Sequence, residues 1–352
     1  MEGIPSDYKP LVLTETSSLT QEEWRQFRKK GIGGSDAAAV MGLSPFVTAR
    51  DLFYDKTDQK PPNENELENN WVALKVGNLL EDLVAEIFAF KTGYKLIKMP
   101  KMFCHPLYPF MLANIDYLVE LPDGTIAILE CKTTSYFSKD KWDNNSIPVN
   151  YEIQGRHYMC VMNINKVFYA CLYGNSENQF LMRELDRDYA CESELIFEEQ
   201  MFWNDYVLKK QFPPFMEEPE LVAACLEKYT GTADRSLPGV MLDISYEERL
   251  AEYLRLKDEK AAASKAEKEL NEQMKREVLP IIESMGKSCK GFLTSGEDIY
   301  EISYTPSGRT AISKENLERL KYQHPAIYRE YAAVSETRSF TVKVLDKKKA
   351  AA

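Results

Sequence analysis

Two acidic residues and a lysine, Asp116, Glu130 and Lys132, have types and spacing that could hold a divalent metal beside a base. Residues 121–125 (LPDGT) lie between them and are typical of a three-residue hairpin turn with its glycine in the left-handed conformation. Counting outward from this turn places Asp116 opposite Glu130, and alternation along a strand puts Lys132 on the face of Glu130. Facing carboxylates repel unless a cation lies between them. The pattern therefore predicts a metal site.

An ordinary half-exposed hairpin is the competing interpretation, because most carboxylates on strands face solvent. Ile126 and Ile128 alternate onto the same face as Glu130. They favour a buried face, where an unpaired acid is costly.

Two helices could add polar groups to this hairpin. A helix predicted from about 69 to 92 carries Leu80, Val84, Ile87 and Phe88 at helical spacing. Glu81 falls on the same side, where it would give the metal a third oxygen ligand. A second helix follows Pro148, and its Tyr151, Gln154 and Tyr158 share one face.

A glycine-rich turn near the N-terminus could bind phosphate. Residues 20–30 predict a helix capped by Thr20 with a basic end, and 31–34 (GIGG) lead into a second helix with Ser35 at its N-cap. Free N–H groups there, beside Arg28 and Lys30, could receive a phosphate. In the alternative interpretation the glycines only turn a corner and the cations are solvated.

Composition limits the kind of metal site. The chain of 352 residues has seven scattered cysteines, no CxxC pair and three histidines. This argues against a disulfide framework, a structural zinc site and an iron–sulfur cluster. Any metal should be oxygen-ligated, hence Mg²⁺, with Mn²⁺ as a possible substitute.

Charge and hydropathy bear on partners and location. The formal net charge is −11, yet the residues from Ile312 onward carry nine Lys and Arg against five Asp and Glu, a net of +4. This asymmetry favours a nucleic-acid partner weakly. Lys139, Lys141 and Trp142 form a loop that suits DNA contact but also occurs in ordinary loops. Since no segment resembles a membrane span or signal peptide, a soluble protein inside the cell is expected, with no membrane partner.

The chain order predicts an α/β (α+β) fold with a C-terminal extension. Residues 1–218 form the first domain, closed by a Pro-rich segment, and 219–244 form a weakly structured linker. Residues 245–352 form the extension, with a long helix from 245 to 284, short strands around Gly296, a helix from 313 to 322 and a last strand at 339–343. The long helix either pairs with a partner helix or is a solvated arm.

These residues in this order resemble the PD-(D/E)XK nuclease superfamily, and within it the YqaJ-type viral recombinases, the family that includes phage lambda exonuclease. The resemblance covers about residues 20–210. It is carried by Arg28, 31–38 (GIGGSDAA), 77–81 (GNLLE), 114–116 (NID), 129–132 (LECK) and 151–154 (YEIQ).

The resemblance implies a restriction-endonuclease-like core, a central mixed sheet flanked by helices. It also implies a Mg²⁺-dependent deoxyribonuclease with Asp116, Glu130, Glu81 and the backbone carbonyl of Cys131 as metal ligands. Lys132 would activate water, Gln154 would help to position the nucleophile or the lysine, and Arg28 and Ser35 would bind a 5′ phosphate. Enzymes of this family digest linear duplex DNA from 5′ ends and leave 3′ overhangs for a phage annealing protein, which places the protein in a bacterial cytoplasm.

Two departures from the family pattern leave alternatives open. No proline precedes Asp116, and the region from about 220 to 352 has no counterpart in lambda exonuclease, so a homo-oligomer is possible but its form does not carry over. A structure-selective or restriction-type endonuclease on the same core, and a non-enzymatic DNA-binding recombination scaffold, are the alternatives.

Overall fold

A computed structural model describes residues 7–59, 71–231, 235–308 and 311–332. The chain divides into two compact units, 1–233 and 234–352, and each is described by itself. In the described residues no helix is both long and apolar enough to cross a membrane.

The strands and helices of the first unit alternate irregularly along the chain. In order they are β1 (Leu11–Glu15), α1 (Gln21–Arg28), β2 (Ile32–Gly33), α2 (Gly34–Val40), α3 (Ala49–Lys56), α4 (Trp71–Thr92), β3 (Lys95–Lys98), β4 (Lys101–Cys104), β5 (Met111–Ala113), β6 (Tyr117–Glu120), β7 (Ile126–Thr133), α5 (Val149–Met162), β8 (Lys166–Leu172), β9 (Phe180–Asp186), α6 (Tyr189–Met201) and α7 (Pro219–Thr230).

A five-stranded mixed sheet, in the order β3-β6-β7-β8-β9, forms the centre of the first unit. Only β7 and β8 in this sheet run parallel, and α5 lies in the connection between them. Val84 and Phe88 of α4 pack on one face with Leu129, while Met159 of α5 packs on the other face with Ile128. Both faces of β7 are therefore buried, and the expected α/β sheet flanked by helices is confirmed.

A smaller sheet, in the order β1-β4-β5-β2, lies beside the glycine turn. Ile32 and Gly33 of β2 pair in parallel with Met111 and Leu112 of β5. A Cβ atom on Gly31 would lie 2.2 Å from the carbonyl oxygen of Phe110, so only glycine fits there. The close approach ties the start of α2 to β5, which ends three residues before Asp116.

The predicted hairpin register is confirmed. Leu121 N–H donates to the Thr125 carbonyl at 2.9 Å, and Gly124 has φ of +85°. Tyr117 pairs with Leu129, so Asp116 immediately precedes the last pair and lies across from Glu130. The Thr20 cap of α1 with Glu23 at N3 is also present.

Helix α7 corrects the predicted domain boundary. The range 219–244 was expected to be a weakly structured linker, but Pro219–Thr230 is helical and belongs to the first unit, which extends to residue 233. Tyr229 stacks on Tyr54 at 3.8 Å between ring centroids, and Lys228 forms an ion pair with Asp51 at 3.1 Å. These contacts to α3 hold the helix against the unit.

The second unit contains the long helix that the composition predicted. It comprises α8 (Glu247–Met285), the hairpin strands β10 (Lys290–Ser295) and β11 (Asp298–Ser303), α9 (Lys314–Gln323) and α10 (Pro325–Tyr331). No side chain of α8 is buried. Helix α10 was not predicted, and the strand expected at 339–343 lies outside the described residues.

Candidate active site

Glu130 lies at the centre of a buried polar cluster on β7. The residue is 1% exposed, and burial followed by the negative charge of Asp116 raises the pKa of its carboxyl to about 8. Its Oε2 accepts hydrogen bonds from Lys132 Nζ at 2.8 Å and from Gln154 Nε2 at 3.0 Å. Its Oε1 is buried and has no hydrogen-bond partner among the described residues. One carboxylate oxygen is therefore available to a further ligand.

Asp116 joins Glu130 across the hairpin. Its Oδ2 accepts a hydrogen bond from the backbone N–H of Cys131 at 2.8 Å, which holds the carboxyl at β7. Burial raises the pKa of Asp116, and this effect outweighs the opposing influence of Lys132 and of the Cys131 N–H. The predicted pair of facing carboxylates is therefore brought together.

Glu81 lies beside the pair but does not complete a three-residue metal site. Burial, followed by the charge of Asp116, raises the pKa of Glu81 to about 7. Its Oε1 is 3.9 Å from Lys98 Nζ, a cation contributed by β3. Among the described residues, no three Asp, Glu, His or Cys side chains are grouped so that they could hold a metal ion. In this geometry Lys98 partly balances the charge of the Glu81 carboxylate, which was expected to be a metal ligand.

Lys132 and Gln154 link β7 to α5. Lys132 Nζ donates to Gln154 Oε1 at 3.1 Å and lies 5.0 Å from the centre of the Tyr151 ring. Burial lowers the pKa of the lysine, but Glu130 and Asp116 outweigh it, so the pKa is raised and the side chain is a cation. Gln154 Nε2 also donates to the Tyr158 hydroxyl at 3.4 Å. Helix α5 thus orients the lysine.

The donor set at this cluster fits a divalent cation. Asp116 and Glu130 supply hard carboxylate oxygens, the kind of ligand that Mg²⁺ and Mn²⁺ prefer. Glu130 Oε1 has no partner among the described residues, and burial raises the pKa of both carboxyls, so their charged forms are poorly stabilised by the one lysine. A bound cation would stabilise these charged forms.

The second predicted site, around Arg28 and Ser35, also assembles. Arg28 Nη2 donates to Ser35 Oγ at 2.8 Å and to Asp36 Oδ1 at 2.7 Å. Asp36 Oδ2 in turn accepts from Lys56 Nζ at 2.8 Å, and burial is outweighed by Arg28 and Lys56, so its pKa is lowered. Ser35 was predicted as the N-cap of α2, which is wrong. Gly33 is the N-cap, because its N–H is bonded by Asp36, and Ser35 lies in the first turn.

A cleft of about 90 Å³ lies beside the Arg28 site. Its lining includes Arg28, Ser35, Asn114 and Tyr158. Asn114 is two residues before Asp116, and its buried Oδ1 has no hydrogen-bond partner among the described residues. Tyr158 packs directly on Gly34, where a Cβ atom would be 2.4 Å from the ring. The two predicted sites therefore share one wall.

The remaining predicted DNA contacts lie at the surface, with one correction. Lys30 is exposed and its Nζ is 4.2 Å from the Phe27 ring, and Lys141 is exposed in a 3₁₀ segment, Tyr136–Asn145, that also carries the half-buried Lys139. Trp142, whose loop was judged to suit DNA contact or to be an ordinary loop, is 1% exposed and packs in the core. The exposed aromatic residues of that segment are Tyr136 and Phe137 instead.

Several site residues were not predicted. Tyr158 was placed on the face of Gln154 but assigned no role, although its spacing of four residues was the available signal. Lys98 carried no sequence signal, because β-strand pairing brings it to the site, and Asn114 was part of the family pattern but was assigned no role. Cys131, whose backbone carbonyl was expected to be a ligand, contributes its N–H to Asp116.

A family model and a relative from a bacterium relate this chain to the same family. Residues 23–165 match a family model described as the YqaJ-like viral recombinase domain. Over 334 residues the chain is 32% identical to the YqaJ protein of Bacillus subtilis (strain 168), with 94% of this chain and 97% of the relative covered.

Some solved structures also resemble part of the chain. An alkaline exonuclease from Laribacter hongkongensis, LHK-Exo, aligns with a TM-score of 0.44 and 18% identity, covering 54% of this chain and 97% of that one. A phage-related exonuclease from Haemophilus somnus 129PT aligns with a TM-score of 0.38 and 13% identity, covering 51% and 96%.

Proposed function

This chain belongs to the YqaJ family of viral recombinases, and from that premise we propose that it is a divalent-metal-dependent DNA exonuclease. The observation that carries the proposal is the buried Glu130, paired with Asp116 and Lys132, with one carboxylate oxygen unpartnered. A buried acid pair beside a lysine suits phosphodiester hydrolysis, in which a scissile phosphate needs positive charge and an activated water.

Asp116 and Glu130 would hold the metal, for which Mg²⁺ is the proposed ion and Mn²⁺ a substitute. Glu81 and the backbone carbonyl of Cys131 are the further proposed oxygen donors, with Glu81 exchanging its contact with Lys98. A bound divalent cation would supply a water of lowered pKa and positive charge at the scissile phosphate.

Lys132 would act on the attacking water or the developing negative charge. Its ammonium is anchored by Glu130 Oε2 and Gln154 Oε1, which leaves a third N–H for the substrate. Gln154, on α5, accepts one of these hydrogen bonds and so orients the lysine side chain. Because Glu130 and Asp116 raise its pKa, the lysine stays charged and is best suited to stabilise the phosphorane in the transition state.

Arg28 and Ser35 would bind the 5′ phosphate of the DNA end. Tyr158, which packs on Gly34 and accepts a hydrogen bond from Gln154, supports this arrangement, because a terminal phosphate near Arg28 would place the neighbouring phosphodiester toward the acid pair. Cleavage would then proceed from the 5′ end and produce a 3′ overhang. A single-strand annealing protein of the phage or prophage is the proposed recipient of that strand.

One cleavage assay tests metal, polarity and phosphate site together. Linear duplexes with and without 5′ phosphates are incubated with the full chain in Mg²⁺, in Mn²⁺ and in EDTA. We expect metal-dependent release of nucleotides from 5′ ends, faster with the phosphate present. Release without metal would contradict the metal site, and release from 3′ ends would contradict the polarity.

Covalently closed circular DNA provides the control for the alternatives. An exonuclease leaves it intact, so cutting would favour an endonuclease on the same core. Binding of duplex ends without cleavage in either metal would favour a non-enzymatic recombination scaffold.

A further inference from the structure

Three aromatic residues and two lysines lie at the edge of the sheet that carries the catalytic lysine. Strands β7 and β8 are parallel, so their carboxyl ends meet at this edge, where Thr134 N–H bonds the Leu172 carbonyl at 3.0 Å. Tyr136 and Phe137 follow β7, and Tyr173 follows β8. We call Tyr136, Phe137 and Tyr173 the aromatic platform.

The platform presents ring surfaces to solvent. Phe137 is 92% exposed and Tyr136 is 54% exposed. The Tyr136 ring centroid is 6.2 Å from that of Phe137, at 85°, and 6.4 Å from that of Tyr173. A single exposed phenylalanine needs no explanation. Here, however, Phe137 stands at the end of a supported row of rings.

Two lysines lie on the same segment as the rings, but nearby acids balance their charge. Lys139 Nζ lies 5.1 Å from the Tyr136 ring, and Lys141 is exposed on the same 3₁₀ segment. Asp140 and Asp143 of that segment cancel their charge. A ligand held only by phosphate attraction would find little net field here, so the rings must supply the binding.

The platform is within reach of a DNA end bound at the active site. Five residues separate Phe137 from Lys132, and an extended chain spans at most about 3.6 Å per residue, so their Cα atoms are within about 18 Å. Stacked nucleotides rise about 3.4 Å along one strand. The platform therefore lies within a few nucleotides of the scissile phosphate.

We propose that the aromatic platform stacks unpaired bases of the DNA end. The inference rests on the proposed function and adds a second, base-binding element to it. Bases inside a duplex are already stacked on each other, so only frayed or single-stranded ends offer free faces to the rings. Stacking on aromatic side chains also needs no particular base, which suits an enzyme that digests any sequence.

Binding measured without catalysis separates this proposal from the proposed function. In EDTA, fluorescence anisotropy follows the full chain with a labelled oligothymidylate of about twelve nucleotides, a length within the usual range of such sites. A duplex whose ends are both closed by hairpins is the paired control. Wild type is compared with Phe137→Ala, Phe137→Trp and Phe90→Ala.

Phe90 is a matched control because it is 84% exposed and lies on α4 about 20 Å along the helix from Gly77, where an added Cβ atom would be 3.8 Å from Thr133 Oγ1. We expect Phe137→Ala to weaken oligothymidylate binding about tenfold, from the loss of one stacked base. Binding of the closed duplex should not change. Phe137→Trp should restore affinity and Phe90→Ala should match wild type.

Equal loss on the closed duplex would overturn the proposal, since Phe137 would then be a general DNA contact. Unchanged oligothymidylate binding in Phe137→Ala would also overturn it, and a simultaneous loss of binding to a protein partner would then identify the platform as a protein-docking surface. Intact base binding without any cleavage in Mg²⁺ would instead overturn only the proposed nuclease activity. Thermal unfolding of each variant confirms that the fold is kept.

Discussion

At the scale of single residues, the molecule contains two different uses of buried charge. Around Glu130, two acids face one lysine and an oxygen is left without a partner. Around Asp36, two acids face two cations, because Lys56 also pairs with Asp55 at 3.7 Å, and the charges are balanced. The first arrangement is suited to binding a cation, while the second stabilises the fold and orients Arg28.

Replacing Glu130 tests the first arrangement. We expect Glu130→Gln to reduce metal-dependent cleavage by at least about 100-fold, because a neutral amide neither binds the metal nor anchors charged Lys132. Glu120→Gln, an exposed acid on the neighbouring strand, is the control and should keep wild-type rates. The rates come from release of labelled nucleotides, and full activity in Glu130→Gln would contradict the site.

Replacing Arg28 tests the phosphate site. A charge-assisted hydrogen bond is worth about 1.5–3 kcal/mol. Arg28→Ala should therefore reduce the preference for 5′-phosphorylated over unphosphorylated ends by about tenfold or more. Arg25→Ala, on the same helix α1, should leave the ratio unchanged, and Arg28→Lys should keep part of it. The ratio of initial rates on the two substrates is the measurement, and a preserved preference in Arg28→Ala would place the phosphate elsewhere.

The matched Asp36 cluster predicts a pH effect on stability. Its pKa is lowered in the folded protein, so its stabilisation is present above the unfolded value near 3.9 and is lost as pH falls toward the folded value. Asp36→Asn should cost about 3–5 kcal/mol at pH 7, because Arg28 and Lys56 lose their partner. The difference should shrink below about pH 4. Urea unfolding at several pH values measures it, and a constant difference would contradict the assigned cause.

At the scale of elements, α5 is the part of the fold that most affects the site. It packs on β8, carries Gln154 and Tyr158, and touches α2 through Gly34. Its own closest approach to the sheet is at Gly155, where a Cβ atom would be 1.9 Å from the Tyr169 hydroxyl. That hydroxyl also donates to the Tyr151 carbonyl at 2.8 Å. The helix is thus held at one distance from the catalytic strand.

Gly155→Ala should therefore affect both stability and catalysis. Pushing α5 from β8 is expected to cost about 1–3 kcal/mol and to displace Gln154 from Lys132. Gly239→Ala, where no atom lies within 4 Å of the added carbon, should change stability by less than about 0.5 kcal/mol. Thermal unfolding and cleavage rates are compared. If Gly155→Ala had the stability and cleavage rate of wild type, α5 would be free to repack, and the prediction would be contradicted.

Sequence reasoning succeeded where neighbours along the chain decide the structure. The turn at 121–125 sets the pairing of Asp116 with Glu130, and Thr20 with Glu23 sets the start of α1. It failed where distant strands decide. Lys98 reaches Glu81 only because β3 pairs with β6, and Trp142 is drawn into the core by packing on Tyr169. The composition of the Tyr136–Asn145 segment shows that it contains lysines and aromatic residues, but it does not show which aromatic ring is buried.

At the scale of the whole molecule, the chain separates after residue 233 into a unit with the candidate site and a unit dominated by α8. The described side chains of the second unit are mostly exposed.

Truncations at two positions test this division. A chain ending at residue 233 should fold and keep metal-dependent cleavage of short duplexes. A chain ending at 218 removes α7 with its contacts from Tyr229 to Tyr54 and from Lys228 to Asp51, and should unfold at a lower temperature. Thermal unfolding and cleavage are measured on both chains. Equal unfolding temperatures of the two would place the domain boundary at the Pro-rich segment.

The parallel pairing of β7 with β8 has a consequence for how an active molecule arises during synthesis. The acid hairpin forms from residues 111–132 and needs only local contacts, whereas β8 and α5 must emerge later and close a longer loop. Since the N-terminal part of a chain leaves the ribosome first, the acids are assembled before the amide that orients their lysine. A nascent nuclease would thus acquire its carboxylates early and its full cluster only when α5 docks, which delays cleavage until the first unit is folded.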